Sequence, residues 1–231
     1  MLSNSICPYG IMENRHIPFD AFMTSLESLS VYDTFGALFA GCHGLFNLIP
    51  AISQLAAKCL EEGSVPISAE SAARYRILHV KITEWQQSSS NSCHQQYNSR
   101  RKAIGEVYRQ AMWIFLETAM LGSSAPTLGL LSKIHHHIDA LGPILTDNGL
   151  VASPFRPILL WPIIIGGSVV IKQGERDLLL QGMRNPVVST RNTILASNVL
   201  ELLWKDADPR AFSPYGLYLT MTKHSVNLCT S

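Results

Sequence analysis

Three consecutive histidines, His135, His136 and His137, are the residues best suited to chemistry, because imidazole binds metals and moves protons near neutral pH. Successive residues of a helix point about 100° apart, so three adjacent histidines cannot converge on one metal ion. His135 and Asp139 share one helix face at i and i+4, but they form only a pair. The run therefore predicts histidines on the exposed and flanking sides of a core helix, and no metal site.

The candidate acidic residues are sparse and isolated from one another. They are Glu61–Glu62, Glu175 with Asp177, and Asp206 with Asp208. None matches the Asp-rich helical motif that holds magnesium in helical terpene synthases, and capping of helix ends explains all of them. No acid–base pair is predicted.

Signals for a nucleophile or a nucleotide site are also missing. Gly166–Ser168 lacks the glycine that follows the serine by two residues in a nucleophile elbow, and it lies in an apolar segment. Its small residues instead predict the close approach of a neighbouring helix. Gly122–Ser124 is a loop without a phosphate-binding pattern. We therefore nominate no catalytic, cofactor-binding or metal-ligating residue, and we predict that the chain is not an enzyme.

Composition separates this chain from DNA-binding modules. Of its 231 residues 47% are hydrophobic and only 15% are charged, which favours a large core or an apolar face for a partner. The formal net charge is +1, whereas contacts to DNA phosphates require an excess of Lys and Arg on one face. The only tight basic run, Arg100–Lys102, predicts a solvated helix start. Direct binding to DNA is not expected.

The cysteines indicate a reducing compartment. They are odd in number and widely spaced, without a Cys-x-x-Cys pair: Cys7, Cys42, Cys59, Cys93 and Cys229. The most apolar stretch, Pro157–Ile171, is shorter than the roughly twenty residues that span a bilayer, and proline and glycine interrupt it. It predicts a buried core helix and no membrane segment.

Apolar residues recur at helical spacing along most of the chain, and no sustained alternation predicts strands. The predicted helices cover residues 45–62, 68–85, 99–121, 127–141, 158–172, 175–183 and 190–204. Asn47 is the predicted cap of the first helix and Gly63 its end, while Gly142–Pro143 should end the fourth. On the helix at 99–121, the side chains predicted to face away from the core are Lys102, Glu106, Arg109 and Gln110, with Lys102 and Glu106 placed to pair.

These elements predict an all-α fold, a helical array or bundle of about 6–8 helices with an apolar central helix near 158–172. We divide the chain into an N-terminal segment at 1–30, a helical domain at 31–208 and an irregular C-terminal tail at 209–231. The polar loop Ser88–Ser92 is the clearest internal break.

Several short motifs, taken in order, resemble the fungal-specific transcription factor domain of zinc-cluster regulators. They are Phe39–Cys42 with Leu48–Ser53, Tyr108–Ala111 leading into Ile114–Leu116, Leu160–Ile163 with Gly166–Gly167 and Glu175–Arg176, and Leu202–Lys205. The resemblance covers roughly Val31 to Asp206. Two features depart from it: the six-cysteine zinc cluster is missing, and the chain is shorter than the usual regulatory region. The chain is then a truncated or mis-spliced product, a fragment, or a stand-alone relative.

The resemblance implies a regulatory, non-DNA-binding domain of a fungal RNA polymerase II transcription factor in the nucleus, controlling a metabolic or secondary-metabolite gene cluster. The implied partners are a second copy or the transcription machinery, with no cofactor. An apolar small effector, if one binds, should lie between core helices near Trp113, Trp161 or Trp204.

Two alternatives stay open from the sequence. A small helical enzyme would need polar groups that converge in a deep pocket. A protein-interaction scaffold with an apolar partner would need a large exposed apolar patch and a stable oligomer.

Overall fold

The computed structural model describes residues 42–63, 67–86, 95–122, 124, 126–145, 156–185, 189–226 and 228. This part of the chain is all-helical, as predicted, and contains no strand. Its helices are α1 (His43–Phe46), α2 (Ile49–Glu62), α3 (Ala69–Glu84), α4 (Gln95–Ala119), α5 (Leu128–Leu145), α6 (Arg156–Gly167), α7 (Gln173–Arg184), α8 (Arg191–Lys205) and α9 (Ser213–Lys223). Eight of them exceed two turns, and α1 is a single turn.

Local signals fix the ends of the first helices. Gly63 closes α2 with φ 75°, a left-handed conformation that glycine adopts at no steric cost. Ser68 caps α3, because its side chain accepts a hydrogen bond from the Ser71 amide at 3.1 Å. The cap predicted at Asn47 was wrong: Asn47 follows α1, and α2 begins after Leu48 with Pro50 in its first turn.

The long helix α4 organises the first half of the fold. It packs against α1, α2, α3, α5, α6 and α9. Its predicted stripe of apolar side chains is buried, at Ile104, Val107, Tyr108, Ala111, Met112, Phe115 and Ala119. The buried cluster that α4 forms with the helices around it is the first core. Its residues come from α1 to α6 and from the segments next to α1 and after α6.

Helix α5 is longer than the sequence predicted. Gly142 and Pro143 lie inside it rather than ending it, because α5 runs to Leu145. The residues predicted to face inward were Leu131, Ile134, Ile138 and Leu141. The last three are buried in the first core, where α5 packs on α4, and Leu131 is only partly buried.

The apolar segment near 158–172 is the buried central helix that its composition predicted, although α6 itself ends at Gly167. Its side chains divide between two cores: Trp161 and Ile165 join the first, whereas Leu160 and Ile164 join a second. This second core comprises the buried residues of α6 to α9 together with Leu228: Leu160, Ile164, Met183, Ala196, Val199, Leu200, Leu203, Leu217, Met221 and Leu228.

The expectation of an irregular tail after residue 208 was wrong. Ser213–Lys223 forms α9, which packs on α4 and α8 and buries Leu217 and Met221 in the second core. The sequence did not predict this helix because Pro214 and Gly216 are poor helix formers. Pro214 occupies the first turn, where its missing amide costs nothing.

Several predictions fall outside the described residues: the segment 1–30, the loop Ser88–Ser92, Cys7, Cys93 and Cys229. The two described cysteines, Cys42 and Cys59, are buried free thiols. Among the described helices, none combines the length and apolar character needed to cross a membrane.

Candidate functional site

A cluster of aromatic and polar side chains lies where α3, α4 and α5 meet. Half-buried Trp113 of α4 is flanked by two histidine rings, one from each neighbouring helix. The His79 ring meets its edge at a centroid distance of 4.6 Å, and the His137 ring lies nearly parallel to it at 6.0 Å. Tyr75 continues the row at 5.9 Å from His79.

A chain of hydrogen bonds runs beneath these rings. His137 Nδ1 donates to Gln110 Oε1 at 2.6 Å, and the Gln110 amide donates to Glu106, which also pairs with Arg109 at 2.7 Å. The prediction that Gln110 faces away from the core was wrong, because its side chain is buried where α5 packs on α4. Glu106 finds its partners at i+3 and i+4 in Arg109 and Gln110, rather than in Lys102 as predicted.

Glu117 ties the same three helices together. Tyr75 of α3 donates to its carboxylate at 2.6 Å, and Lys133 of α5 lies 3.4 Å from it. Burial raises the pKa of Tyr75, and the hydrogen bond to Glu117 and its negative charge raise it further, so the phenol keeps its proton.

We call this row of rings, together with the hydrogen bonds of Glu106, Gln110 and Glu117, the seam. It shifts the pKa of His137 as well as that of Tyr75. Burial is the largest cause of the lowered pKa of His137, and the neighbouring His136 lowers the pKa further. The negative charges of Glu117 and Glu106 raise it, with a smaller effect. The seam joins helices through groups that are already paired. Its described hydrogen bonds join tyrosine, glutamate, glutamine and histidine side chains, and none places a serine or cysteine nucleophile beside a base.

The histidine run diverges as helix geometry requires. His137 points into the seam and His136 is exposed. His135 turns to the other flank, where one ligand atom each of His135, Asp139 and Glu175 lie within 4.8 Å of one another. The sequence offered His135 and Asp139 only as a pair. The fold brings Glu175 of α7 close to this pair on α5. The spacing of residues along the sequence does not predict that these two helices approach each other.

The remaining candidate carboxylates with described partners are held by close neighbours, as expected for residues at helix ends. The pairs are Glu62 with Ser68 and Ser71, Asp177 with Gln173, Asp206 with Lys223, and Asp208 with Arg210. The hydrogen bond from Arg210 lowers the pKa of Asp208 to about 2, so this carboxylate is ionised at neutral pH.

The Gly166–Ser168 segment is a packing element, as its small residues predicted. A Cβ atom at Gly167 would lie 2.8 Å from the side chains of both Leu179 and Leu200. The Ser168 hydroxyl is buried and donates to the Ile165 carbonyl at 2.7 Å. This serine therefore already has a backbone partner and does not resemble an activated nucleophile.

The basic run at the start of α4 is less solvated than predicted. Lys102 is exposed, but the Arg101 side chain is only 7% exposed. It lies near the buried Cys42 thiol, whose pKa burial raises to about 12 against the opposing charge of Arg101. The run therefore exposes fewer positive charges to a phosphate group than its three basic residues would suggest.

Trp161 and Trp204, two of the three tryptophans predicted near an effector, lie in different surroundings. Trp161 is buried in the first core against Tyr108 and Phe115, whereas Trp204 donates to the Gly167 carbonyl at 3.0 Å. A shallow recess between α2, α4 and α9 has room for about one water, and no tryptophan lines it. The recess is therefore not the effector site predicted near Trp113, Trp161 or Trp204, and that site stays a prediction.

Comparison with known proteins decides the family. The family model described as "Fungal specific transcription factor domain" matches residues 6–225, nearly the whole chain. The chain belongs to the fungal specific transcription factor domain family. No curated protein and no solved structure matches it. The match includes α9, so the family region extends past the end of the resemblance seen in the motifs, at Asp206.

Membership of the fungal transcription factor domain family gives the chain a role in the regulation of transcription. The seam and the two cores are therefore features of a regulatory domain. Domains of this family are generally not enzymes.

Proposed function

We propose that this chain is the regulatory, non-DNA-binding domain of a fungal RNA polymerase II transcription factor. It acts in the nucleus through protein contacts, and it controls a metabolic or secondary-metabolite gene cluster. The observation that carries the proposal is the family match across residues 6–225. We place the regulatory unit in the helical domain that begins at 31, and we extend it beyond 208 to include α9, because α9 buries side chains in the second core.

The charge distribution supports a role that does not involve contact with DNA by this chain. The formal net charge is only +1, and Arg101, the middle residue of the one tight basic run, is buried. Phosphate-dominated binding needs several solvent-exposed cations on one face.

Protein partners are favoured over a small effector. The recess beside α9 is too small for an apolar effector to bind at that place, and we propose a second copy or the transcription machinery as the regulatory partner. The helical enzyme gains no support from the recess, since it is lined mainly by apolar side chains such as Ala56, Leu60 and Phe115.

A tethering experiment tests the regulatory role. The full chain is fused to a heterologous DNA-binding domain in a filamentous fungus, with a reporter gene behind the matching operator. We expect reporter transcription to change relative to the DNA-binding domain alone. The variant Gly216→Ala, which places a Cβ 2.7 Å from the Ala211 backbone, serves as a control that weakens the fold.

Two results would contradict the proposal. One is a fusion that is nuclear and folded but leaves the reporter unchanged. The other is sequence-specific binding of the unfused chain to genomic DNA fragments in a fluorescence anisotropy titration. RNA sequencing after deletion of the gene tests the finer claim, since we expect the altered transcripts to lie in one contiguous gene cluster.

A further inference from the structure

We propose that His135, Asp139 and Glu175 form a binding site for one divalent transition-metal cation, with Zn²⁺ as the best fit. Their ligand atoms, one from each side chain, lie within 4.8 Å of one another. The site goes beyond the regulatory function proposed above and does not depend on it.

The donor set has the composition of a metal site rather than of an ordinary acidic patch. One imidazole and two carboxylates are hard and borderline ligands, which suit Zn²⁺ and its first-row neighbours better than Mg²⁺ or Ca²⁺. Three protein ligands leave a position for water in a tetrahedral shell. The pair at i and i+4 on α5 presents two donors on one helix face, and Glu175 approaches from the first turn of α7.

The approach of the ligands needs only a small closure. Zinc bonds of about 2.0–2.1 Å place the ligands of a tetrahedral shell about 3.3 Å apart. The side chains must therefore converge by up to roughly 1.5 Å. Asp139 is exposed, whereas His135 and Glu175 are partly buried.

One carboxylate oxygen of Glu175 has no partner in the fold. Glu175 Oε2 is shielded from solvent and has no hydrogen-bond partner among the described residues, although the side chain as a whole is 28% exposed. Lys172 reaches only the other oxygen, Oε1, at 3.1 Å. A buried carboxylate oxygen without a donor is costly, and two carboxylates this close repel each other. A cation would satisfy the oxygen and neutralise the pair.

The location gives the cation a structural role. Helix α5 contributes Ile134 and Ile138 to the first core, whereas α7 contributes Met183 to the second. A metal held by His135 and Glu175 would clamp the two regions from outside their apolar contacts.

The test is a zinc titration of the purified 231-residue chain, stripped with a chelator, in competition with a chromophoric chelator. We expect one zinc per chain, and Co²⁺ in its place should give visible d–d absorption of a low-coordinate site. Asp139→Asn and Glu175→Gln keep side-chain shape, and each should raise the Kd about tenfold or more. Circular dichroism of each variant confirms that the helices persist.

Neighbouring residues supply matched controls. Asp177→Asn changes another carboxylate of α7, and His136→Ala changes another imidazole of the run; neither should change the Kd. Zinc at about 100 times its Kd should raise the ratio of folded to unfolded parent protein about 100-fold, and it should do less for the two site variants.

Either of two results would overturn the proposal. The first is the absence of stoichiometric zinc binding by the folded parent chain. The second is a loss of affinity in His136→Ala equal to that in Asp139→Asn and Glu175→Gln, since the metal would then bind the histidine run without the geometry described here.

Discussion

The two cores are held together in different ways. The first core gathers aromatic and aliphatic side chains from α4 and the five helices α1, α2, α3, α5 and α6 around it, and Tyr108, Phe115 and Trp161 are almost completely buried within it. The second core is a smaller cluster of mostly aliphatic residues from α6 to α9. Because hydrophobic stabilisation scales with buried apolar area, we expect the first core to contribute more of it than the second.

Polar links surround the smaller core. Arg184 of α7 contacts Ser197, Asn198 and Glu201 of α8 at 2.5–3.3 Å. Its hydrogen bond and charge lower the pKa of Glu201, although both side chains are partly exposed and the pair is screened by solvent.

The turn after α6 gathers further links. Arg176 lies 5.2 Å from the centre of the Trp204 ring, and Trp204 donates to the Gly167 carbonyl. The Ser213 amide donates to the Ser168 carbonyl at 3.0 Å and anchors the start of α9. The second region therefore combines close helix approach with directional contacts, whereas the first combines a larger apolar core with the hydrogen bonds of the seam.

The largest expected effect comes from removing volume in the first core. Phe115→Ala should lower the free energy of unfolding by about 3–5 kcal/mol, because it deletes a buried ring that packs against Trp161. Urea denaturation followed by circular dichroism measures this. Leu128→Ala, at a side chain that is 86% exposed, is the control and should change it by less than about 0.5 kcal/mol.

Hydrogen exchange on Phe115→Ala bears directly on the comparison. We expect faster amide exchange in α7 to α9 as well as in α2 to α5, because α6 contributes to both cores. Unchanged exchange in α7 to α9 would mean that the second region folds by itself.

A steric clash introduced in the second region should have an effect of intermediate size on the free energy of unfolding. In Gly216→Ala the new Cβ lies 2.7 Å from the Ala211 carbonyl carbon and 3.0 Å from the Arg210 oxygen, both rigid backbone atoms. We expect a loss of about 1–3 kcal/mol in the free energy of unfolding, measured by urea denaturation.

Gly182→Ala is the matched control for this change. Its Cβ would meet no atom within 4 Å, and alanine favours the helix, so α7 should gain about 0.5–1 kcal/mol. Equal effects of the two substitutions would show that the α9 contact does not constrain the fold.

The smallest effect is a pH dependence located in the first region. The pKa of His137 is lowered in the folded chain, so the unfolded chain binds more protons as the pH falls through about 6.5. The stabilisation is therefore present above that pH and is lost as the pH falls towards the folded pKa. The urea midpoint should fall between about pH 7.5 and about pH 5.5 by more in the parent than in His137→Gln.

His136→Gln is the control for this prediction, because His136 is exposed and lies outside the seam. The seam would not explain the pH dependence if His136→Gln flattened the profile and His137→Gln left it intact.

Much of the fold was predictable because the signals are local. The stripes at Leu45–Cys59 and Ile104–Ala119 are buried as their spacing predicted, and Gly63 and Ser68 end and begin helices through their own backbone preferences and side chains. The prediction was wrong at Gly142–Pro143 and in the tail, because tertiary packing there overrides weak helix propensity.

The polar contacts were much less predictable. The sequence predicts that Gln110 lies on a solvated face of its helix. Its side chain is instead buried beneath α5 and accepts a hydrogen bond from His137. Arg101 is buried although it stands within a basic run. No property of these residues alone indicates a partner on a distant helix.

The sequence by itself determined the all-α class, the family and the divergence of the histidine run, since periodicity, motif order and the helical repeat are properties of the chain. Only the tertiary structure decided that a carboxylate oxygen of Glu175 lies within 4.8 Å of ligand atoms of His135 and Asp139, and that α6 divides its side chains between two cores. The physical reason is that packing angles between helices depend on all the side chains at each contact, and a spacing along the sequence carries no information about them.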